Sequence, residues 1–223
     1  MTVELINHPS ANPDGLCGEA AAMCYDGDDF EKSYTAALAH GHESVSEHAT
    51  YTFKVCGASV VLLKQLTRHR IASYSVRSQR YCGVTPDWVT PKSIQGNPDA
   101  ERGYHVALHM AFEAYLGLLE RGIKPEDARY VIPQGVRCNF IFTMNTRELR
   151  HFFELRLCSR AQDEIRELAA KMLDLVQPLA PISFAGCGPA CVNGACREGK
   201  RGNPGCKNPW NANTGRPMEA NNA

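Results

Sequence analysis

No charge of either sign is in excess in this chain: 24 lysines and arginines face 24 aspartates and glutamates over 223 residues. A dedicated nucleic-acid binder carries an obvious basic surplus, so the neutral total argues against that class while leaving room for local clusters. Long apolar runs are missing as well; none approaches the ~18 residues that span a bilayer. The opening Met1-Thr2-Val3-Glu4-Leu5 has neither the basic start nor the apolar stretch of a secretory signal. The expectation is a soluble, cytoplasmic protein that engages neither membrane nor nucleic acid. No internal repeat is visible, and the length suits one domain with a real core.

Cysteine, by contrast, is abundant, with ten in all. Six are scattered through the body, several inside apolar patterns where a free thiol behaves as a small hydrophobe. The other four, Cys187, Cys191, Cys196 and Cys206, crowd into a tail of Gly, Pro and Asn. Clustered cysteines in a cytosolic chain point to metal or redox chemistry more than to structural disulfides. Structural zinc sites use four thiolates, though usually in close pairs, and only Cys187 and Cys191 have such spacing. The four are therefore weak zinc candidates, weighed against inert thiols. The composition divides the chain into a body, 1–183, and a tail, 184–223.

Several elements are legible along the body. Residues 29–40 read as a helix that Gly41 stops. Tyr51-Thr-Phe53-Lys-Val55 alternates as a half-buried strand does. Residues 59–69 read as helix, Ile71 to Tyr81 as a polar loop, and Asp87 to Arg102 as an exposed connection. A further helix spans about 104–121, and Pro125 suits the first turn of a short one. Asn145-Thr-Arg-Glu148 has the form of a cap with a glutamate three positions on, and opens a long helix reaching about Gln177. These elements make an α+β chain with a twisted, mainly antiparallel sheet and long flanking helices.

Between Leu66 and Tyr81 stand four arginines, Arg68, Arg70, Arg77 and Arg80, with no acidic residue. A planar guanidinium fork suits phosphate oxygens and pyrimidine carbonyls; the plain alternative is a solvated basic loop. The order of residues is more specific. Arg68-His69-Arg70, seven residues, Ser78 and then Gln79-Arg80-Tyr81 resembles the signature of flavin-dependent thymidylate synthases. A second stretch resembles the same family: Ala128-Arg129-Tyr-Val-Ile-Pro133, Asn145-Thr-Arg147, His151 and Leu155-Arg156-Leu. Gly41-His42-Glu43-Ser44 makes a weaker third piece. The resemblance covers about residues 35–180.

The resemblance implies a fold, an activity and a set of contacts. It implies that Ser44, Arg68, His69, Arg70, Asn145, Arg147 and His151 contact FAD. It places Gln65, Arg68, Arg77, Ser78, Gln79, Arg80, Arg129 and Arg156 around dUMP, with Arg156 as the catalytic group. It further implies 5,10-methylenetetrahydrofolate and NADPH as co-substrates, and a homotetramer with shared active sites. Physical chemistry agrees on several points. Asn145 and Arg147 open a helix, and helix N-termini favour phosphate groups, although simple capping explains Asn145 equally well. A cation beside the uracil N3–C=O edge would favour charge developing on oxygen, the role implied for Arg156. For Arg156 the plain alternative is a surface charge paired with a glutamate. For His69, flanked by arginines, burial in a core is not expected.

Ser78 has no base nearby in sequence to activate it, and the resemblance gives Cys82 no nucleophilic role, so no covalent enzyme intermediate is expected. Val76 stands where many members have Glu or Gln, so any side-chain contact made there is lost. Two competing functions remain: a non-enzymatic RNA- or nucleotide-binding protein using the arginine loop, and a flavin reductase that produces no dTMP.

Overall fold

The computed structural model describes residues 1–10, 12–192, 194, 196, 206, 210–211 and 216–217. Strand β1 (Thr2–Asn7) leads to helices α1 (Pro13–Tyr25) and α2 (Phe30–Ala39), and a 3₁₀ turn, Glu43–Glu47, precedes β2 (Thr50–Ser59). Helix α3 (Val60–Leu66), β3 (Ala72–Val76), α4 (Lys92–Gln95), α5 (Pro98–Glu120) and α6 (Pro125–Ala128) follow. A second 3₁₀ turn, Arg129–Val131, leads to β4 (Arg137–Asn145), α7 (Thr146–Arg156) and α8 (Asp163–Val176). In the tail, β5 (Trp210–Asn211) and β6 (Arg216–Pro217) pair antiparallel.

The four main strands form an antiparallel sheet of order β1-β2-β4-β3. In β2 and β4 the burial alternates residue by residue, which places Tyr51, Phe53 and Val55, and Cys138, Phe140, Phe142 and Met144, on covered faces. The chain divides into two compact units. The first comprises Met1–Thr2, Lys54–Arg68 and Tyr74–Ile141; the second comprises Val3–Phe53, His69–Ser73 and the described residues from Phe142 onward.

Aromatic packing dominates the second unit. Phe53 stacks on Phe142 with centroids 5.4 Å apart, and Phe184 meets both Tyr51 and Phe153 edge-on. Helix α1 lies close to α2 because residue 18 is glycine: a Cβ there would come within 2.6 Å of the Phe30 carbonyl oxygen. The buried Asp14 carboxylate of α1 accepts from the Ile182 and Ser183 amides, at 2.7 and 2.9 Å, and from the Ser183 hydroxyl at 2.5 Å. The same hydroxyl meets Tyr34 Oη at 2.9 Å, and Tyr34 Oη meets Ser46 at 3.0 Å. In the first unit the core is built from Leu62 and Leu66 of α3, Leu108 and Tyr115 of α5, and Val136 and Phe140.

Four sequence expectations change. The stretch read as a loop after Ile71 contains β3, because Ala72, Tyr74 and Val76 alternate with serines; such short polar alternation suits an edge strand, which β3 is. The connection expected over 87–102 holds α4, and α5 begins at Pro98, with the Asn97 side chain capping the Ala100 amide. The single helix expected over 145–177 is two, since Gln162 caps a new helix by accepting from the Ile165 amide. Burial also runs past Ser183, through Phe184 and Cys187.

Candidate active site

In the first unit the arginine-rich segment leaves β3 and turns on itself. The Arg77 amide donates to Asn139 O at 3.0 Å, the last bond before the chain turns. The Ser78 hydroxyl accepts from the Arg80 amide at 3.2 Å, and Ser78 O accepts from the Cys82 amide. These bonds present Arg77, Ser78, Gln79 and Arg80 on one short turn. Arg80 Nε and Nη2 both donate to Glu126 Oε2, at 3.0 and 2.6 Å. That guanidinium holds the Glu126 carboxyl below the usual carboxylate range, with Lys124 and Arg129 adding to the effect. Arg129 Nε donates to the Glu126 carbonyl at 3.0 Å. Arg80 and Arg129 thus converge on one residue, and the Glu126 carboxylate sits where an anionic group is well received. Gln65 and Arg68 belong to this unit too, at the end of α3, with Arg68 exposed.

The second unit holds most residues expected to contact FAD. A cavity of about 500 Å³ is lined by Asn145, Arg147, Arg150, His151, Glu43 and Glu47, among others. Asn145 ends β4 and caps α7, its Oδ1 accepting from the Glu148 amide at 2.9 Å. Arg147 stands in the first helical turn and donates to Glu47 at 2.6 Å, with Glu43 at 3.6 Å. Ser44 lies between those two glutamates in sequence, on the exposed side of the 3₁₀ turn. Two arginines, a capping amide and a histidine at the start of an 11-residue helix are donors suited to the phosphates of a dinucleotide. Four glutamates, Glu43, Glu47, Glu148 and Glu154, line the same cavity, so a phosphate entering it has to take Arg147 from Glu47. Arg70 is exposed on the second unit, whereas Arg68 lies on the first.

His69 departs from expectation. It is buried, 4% exposed, with Phe152 edge-on at 4.9 Å and the His151 ring at 5.7 Å. Its Nδ1 lies 2.8 Å from Glu148 Oε1, and Arg156 Nε donates to its Nε2 at 3.1 Å. The flanking arginines do point away exposed, but the imidazole between them turns inward, where Glu148 and Arg156 satisfy both nitrogens. Sequence reasoning missed Glu148 because it read that carboxylate as part of a helix cap. The partner it uses instead is 79 residues away, and no local pattern reveals it.

Arg156, at the last turn of α7, is therefore bonded to a histidine and not simply a surface charge. Burial lowers its pKa from the ordinary guanidinium value. It lines a second cavity of about 250 Å³ together with Cys158, Arg160, Cys191 and Cys196. Cys187 faces the larger cavity, so the four tail cysteines do not share one pocket. Among the described residues, no group of three or more His, Cys, Asp or Glu is placed to hold a metal ion. Burial pushes the Cys187 thiol up to about 11, so it is neutral at ordinary pH. No described helix is long and apolar enough to cross a membrane.

The model of the thymidylate synthase complementing protein family matches residues 4–182. The chain belongs to that family. A flavin-dependent thymidylate synthase of Geobacter sulfurreducens is 40% identical over 214 residues, covering 89% of this chain and 92% of the relative. One from Pyrococcus abyssi is 45% identical over 189 residues, covering 80% and 78%. Among solved structures, a UMP/dUMP methylase, PolB from Streptomyces cacaoi, bound with 5-Br dUMP, superposes with a TM-score of 0.73. It is 26% identical, and the match covers 84% of this chain and 95% of that one. Membership makes the chain a flavin-dependent methyltransferase of nucleotide synthesis and sets aside the non-enzymatic RNA-binding alternative.

Proposed function

We propose that the chain converts dUMP to dTMP, taking the carbon from 5,10-methylenetetrahydrofolate and reducing equivalents from NADPH through FAD, without an enzyme nucleophile. The observation that carries the catalytic part is Arg156: a guanidinium partly withdrawn from water and fixed through its stem-side nitrogen to His69. Methylation at C5 needs that carbon to be electron-rich. A fixed cation beside the uracil N3–C=O edge stabilises charge developing on the oxygen, and it does so most strongly where water is excluded.

The remaining roles follow from donor chemistry. Arg77, Ser78, Gln79, Arg80 and Arg129, with Gln65 and Arg68, bind the nucleotide monophosphate, with Glu126 giving up Arg80 to it. Asn145, Arg147 and His151, with Ser44, His69, Arg68 and Arg70, hold FAD. His69, with both its nitrogens engaged, would offer FAD no ring-nitrogen hydrogen bond. FAD, once reduced, supplies the hydride that turns the transferred methylene into a methyl group. Catalysis resides in residues 1–183 with the buried Phe184 and Cys187 packed onto them, the Gly- and Asn-rich stretch beyond is an appended tail, and the protein works in the cytoplasm. A homotetramer with shared active sites, as the resemblance to the family implies, completes this reading.

The test is Arg156→Ala. Flavin absorption near ~450 nm, expected of a bound redox cofactor, should persist. Formation of dTMP from dUMP, methylenetetrahydrofolate and NADPH should fall by about 10²–10³, the cost of losing one donor to developing negative charge. Turnover close to wild type would overturn the role of Arg156. NADPH oxidation without dTMP in the wild-type protein would instead establish the reductase reading.

A further inference from the structure

The Glu148–His69–Arg156 chain of bonds has a direction that elementary donor and acceptor chemistry fixes. Arginine's guanidinium is always protonated and has only donors. The 3.1 Å contact from Arg156 Nε therefore requires His69 Nε2 to be an acceptor, with no proton on it. The ring proton must then sit on Nδ1, from which it donates to Glu148 Oε1 at 2.8 Å. The opposite tautomer would set an N–H against an N–H at Arg156. The two ends of Glu148 have separate partners: its backbone amide donates to Asn145 Oδ1, and its carboxylate accepts from His69. Glu148 and His69 are 6% and 4% exposed, and Phe152 and His151 flank the ring, so the imidazole cannot swing away cheaply. Long helical side chains lean towards the helix N-terminus. Arg156 thus reaches back along α7 towards Glu148, and His69 bridges them.

We propose that Glu148 and His69 are positioning residues for the methylation step: Glu148 selects the His69 tautomer that accepts from Arg156 and so holds the Arg156 guanidinium in one plane. The inference rests on the catalytic reading of Arg156 given above. The bond to Nε fixes the plane of the whole delocalised group, and with it the directions in which the terminal amino groups donate. Losing the bond to Nε loosens that plane, and a misplacement of about 1 Å can cost roughly 10²-fold in rate.

A double-mutant cycle on the FAD-loaded enzyme tests this, using Arg156→Ala, Glu148→Ala and the pair together. Glu148→Ala should lower kcat for dTMP formation by about 30- to 100-fold, with KM for dUMP held within about threefold, because the lost alignment matters in the transition state. Glu148→Gln, whose amide oxygen still accepts from Nδ1–H, should stay within about fivefold of wild type. The double variant should be no slower than Arg156→Ala, since Glu148 acts through a group already gone. Should Glu148→Ala lose its fold, Glu148→Leu keeps the bulk and takes its place in the same cycle. Losses that multiply in the double variant, or a Glu148→Ala (or Glu148→Leu) enzyme within threefold of wild type, overturn the positioning role while leaving Arg156 catalytic. A full-speed Arg156→Ala overturns both readings.

Discussion

Replacing Asp14 with alanine removes an acceptor that serves three donors at once. The Ser183 amide would be left unpaired in a buried site and the Ile182 amide in a half-buried one, while the Ser183 hydroxyl could turn to Tyr34. A hydrogen bond to a charged group contributes about 1.5–3 kcal/mol, and contributions sharing one carboxylate do not add fully. Taking the two amides as the main loss gives about 3–5 kcal/mol. For a chain of this size each kcal/mol lowers Tm by about 2–4 °C, so Asp14→Ala should melt roughly 10 °C below wild type. Asp14→Asn keeps one acceptor oxygen but turns an amide N–H towards a donor, and should lose about half as much. The assay is thermal unfolding by circular dichroism on flavin-free samples at one protein concentration, because bound ligand and assembly both raise Tm. A fall of less than about 2 °C for Asp14→Ala would show that the carboxylate is not holding Ile182 and Ser183, and would refute the reasoning.

Other outcomes follow from the two cavities. Glu47→Gln removes the carboxylate that competes for Arg147, and flavin affinity measured by fluorescence quenching should rise about two- to fivefold, the scale of an exposed ion pair. Weaker flavin binding would mean that Glu47 itself contributes to the site. Cys187, whose neutral thiol is favoured up to about pH 11, should resist iodoacetamide at pH 8.5 in the folded protein and react once denaturant is added. Mass spectrometry of the labelled peptides separates it from Cys24, which is exposed.

The local arrangement of the candidate residues was legible in the sequence because they fall in short ordered runs: Arg77 to Arg80 share one turn, and Asn145, Arg147 and His151 stand at the start and along one helix. Asn145 illustrates how local chemistry reads reliably, since its side chain caps the helix as the spacing requires. Elements stabilised from afar were harder. Helix α1 buries mostly small residues, Cys17, Gly18, Ala21 and Ala22, and so lacks the strong apolar stripe that marks an amphipathic helix. Strand β4 went unread although Phe140, Phe142 and Met144 alternate with Asn139, Ile141 and Thr143, a signal plain enough to have found it. His69 could not be read at all. Its inward turn depends on a carboxylate 79 residues later and an arginine 87 later, a pairing that only the folded chain reveals.

Asp14 and Ser183 lie 169 residues apart in the chain, and that separation matters in time as well as in energy. A ribosome adding about 5–20 residues per second needs roughly 10–30 s to pass from one to the other. Throughout that interval α1 has been made but cannot bury Asp14 against its partners, and the carboxylate keeps that helix in water. The second unit therefore closes only after Ser183 has been made, and a chain cut short before that residue has a carboxylate on α1 with no amides to receive it.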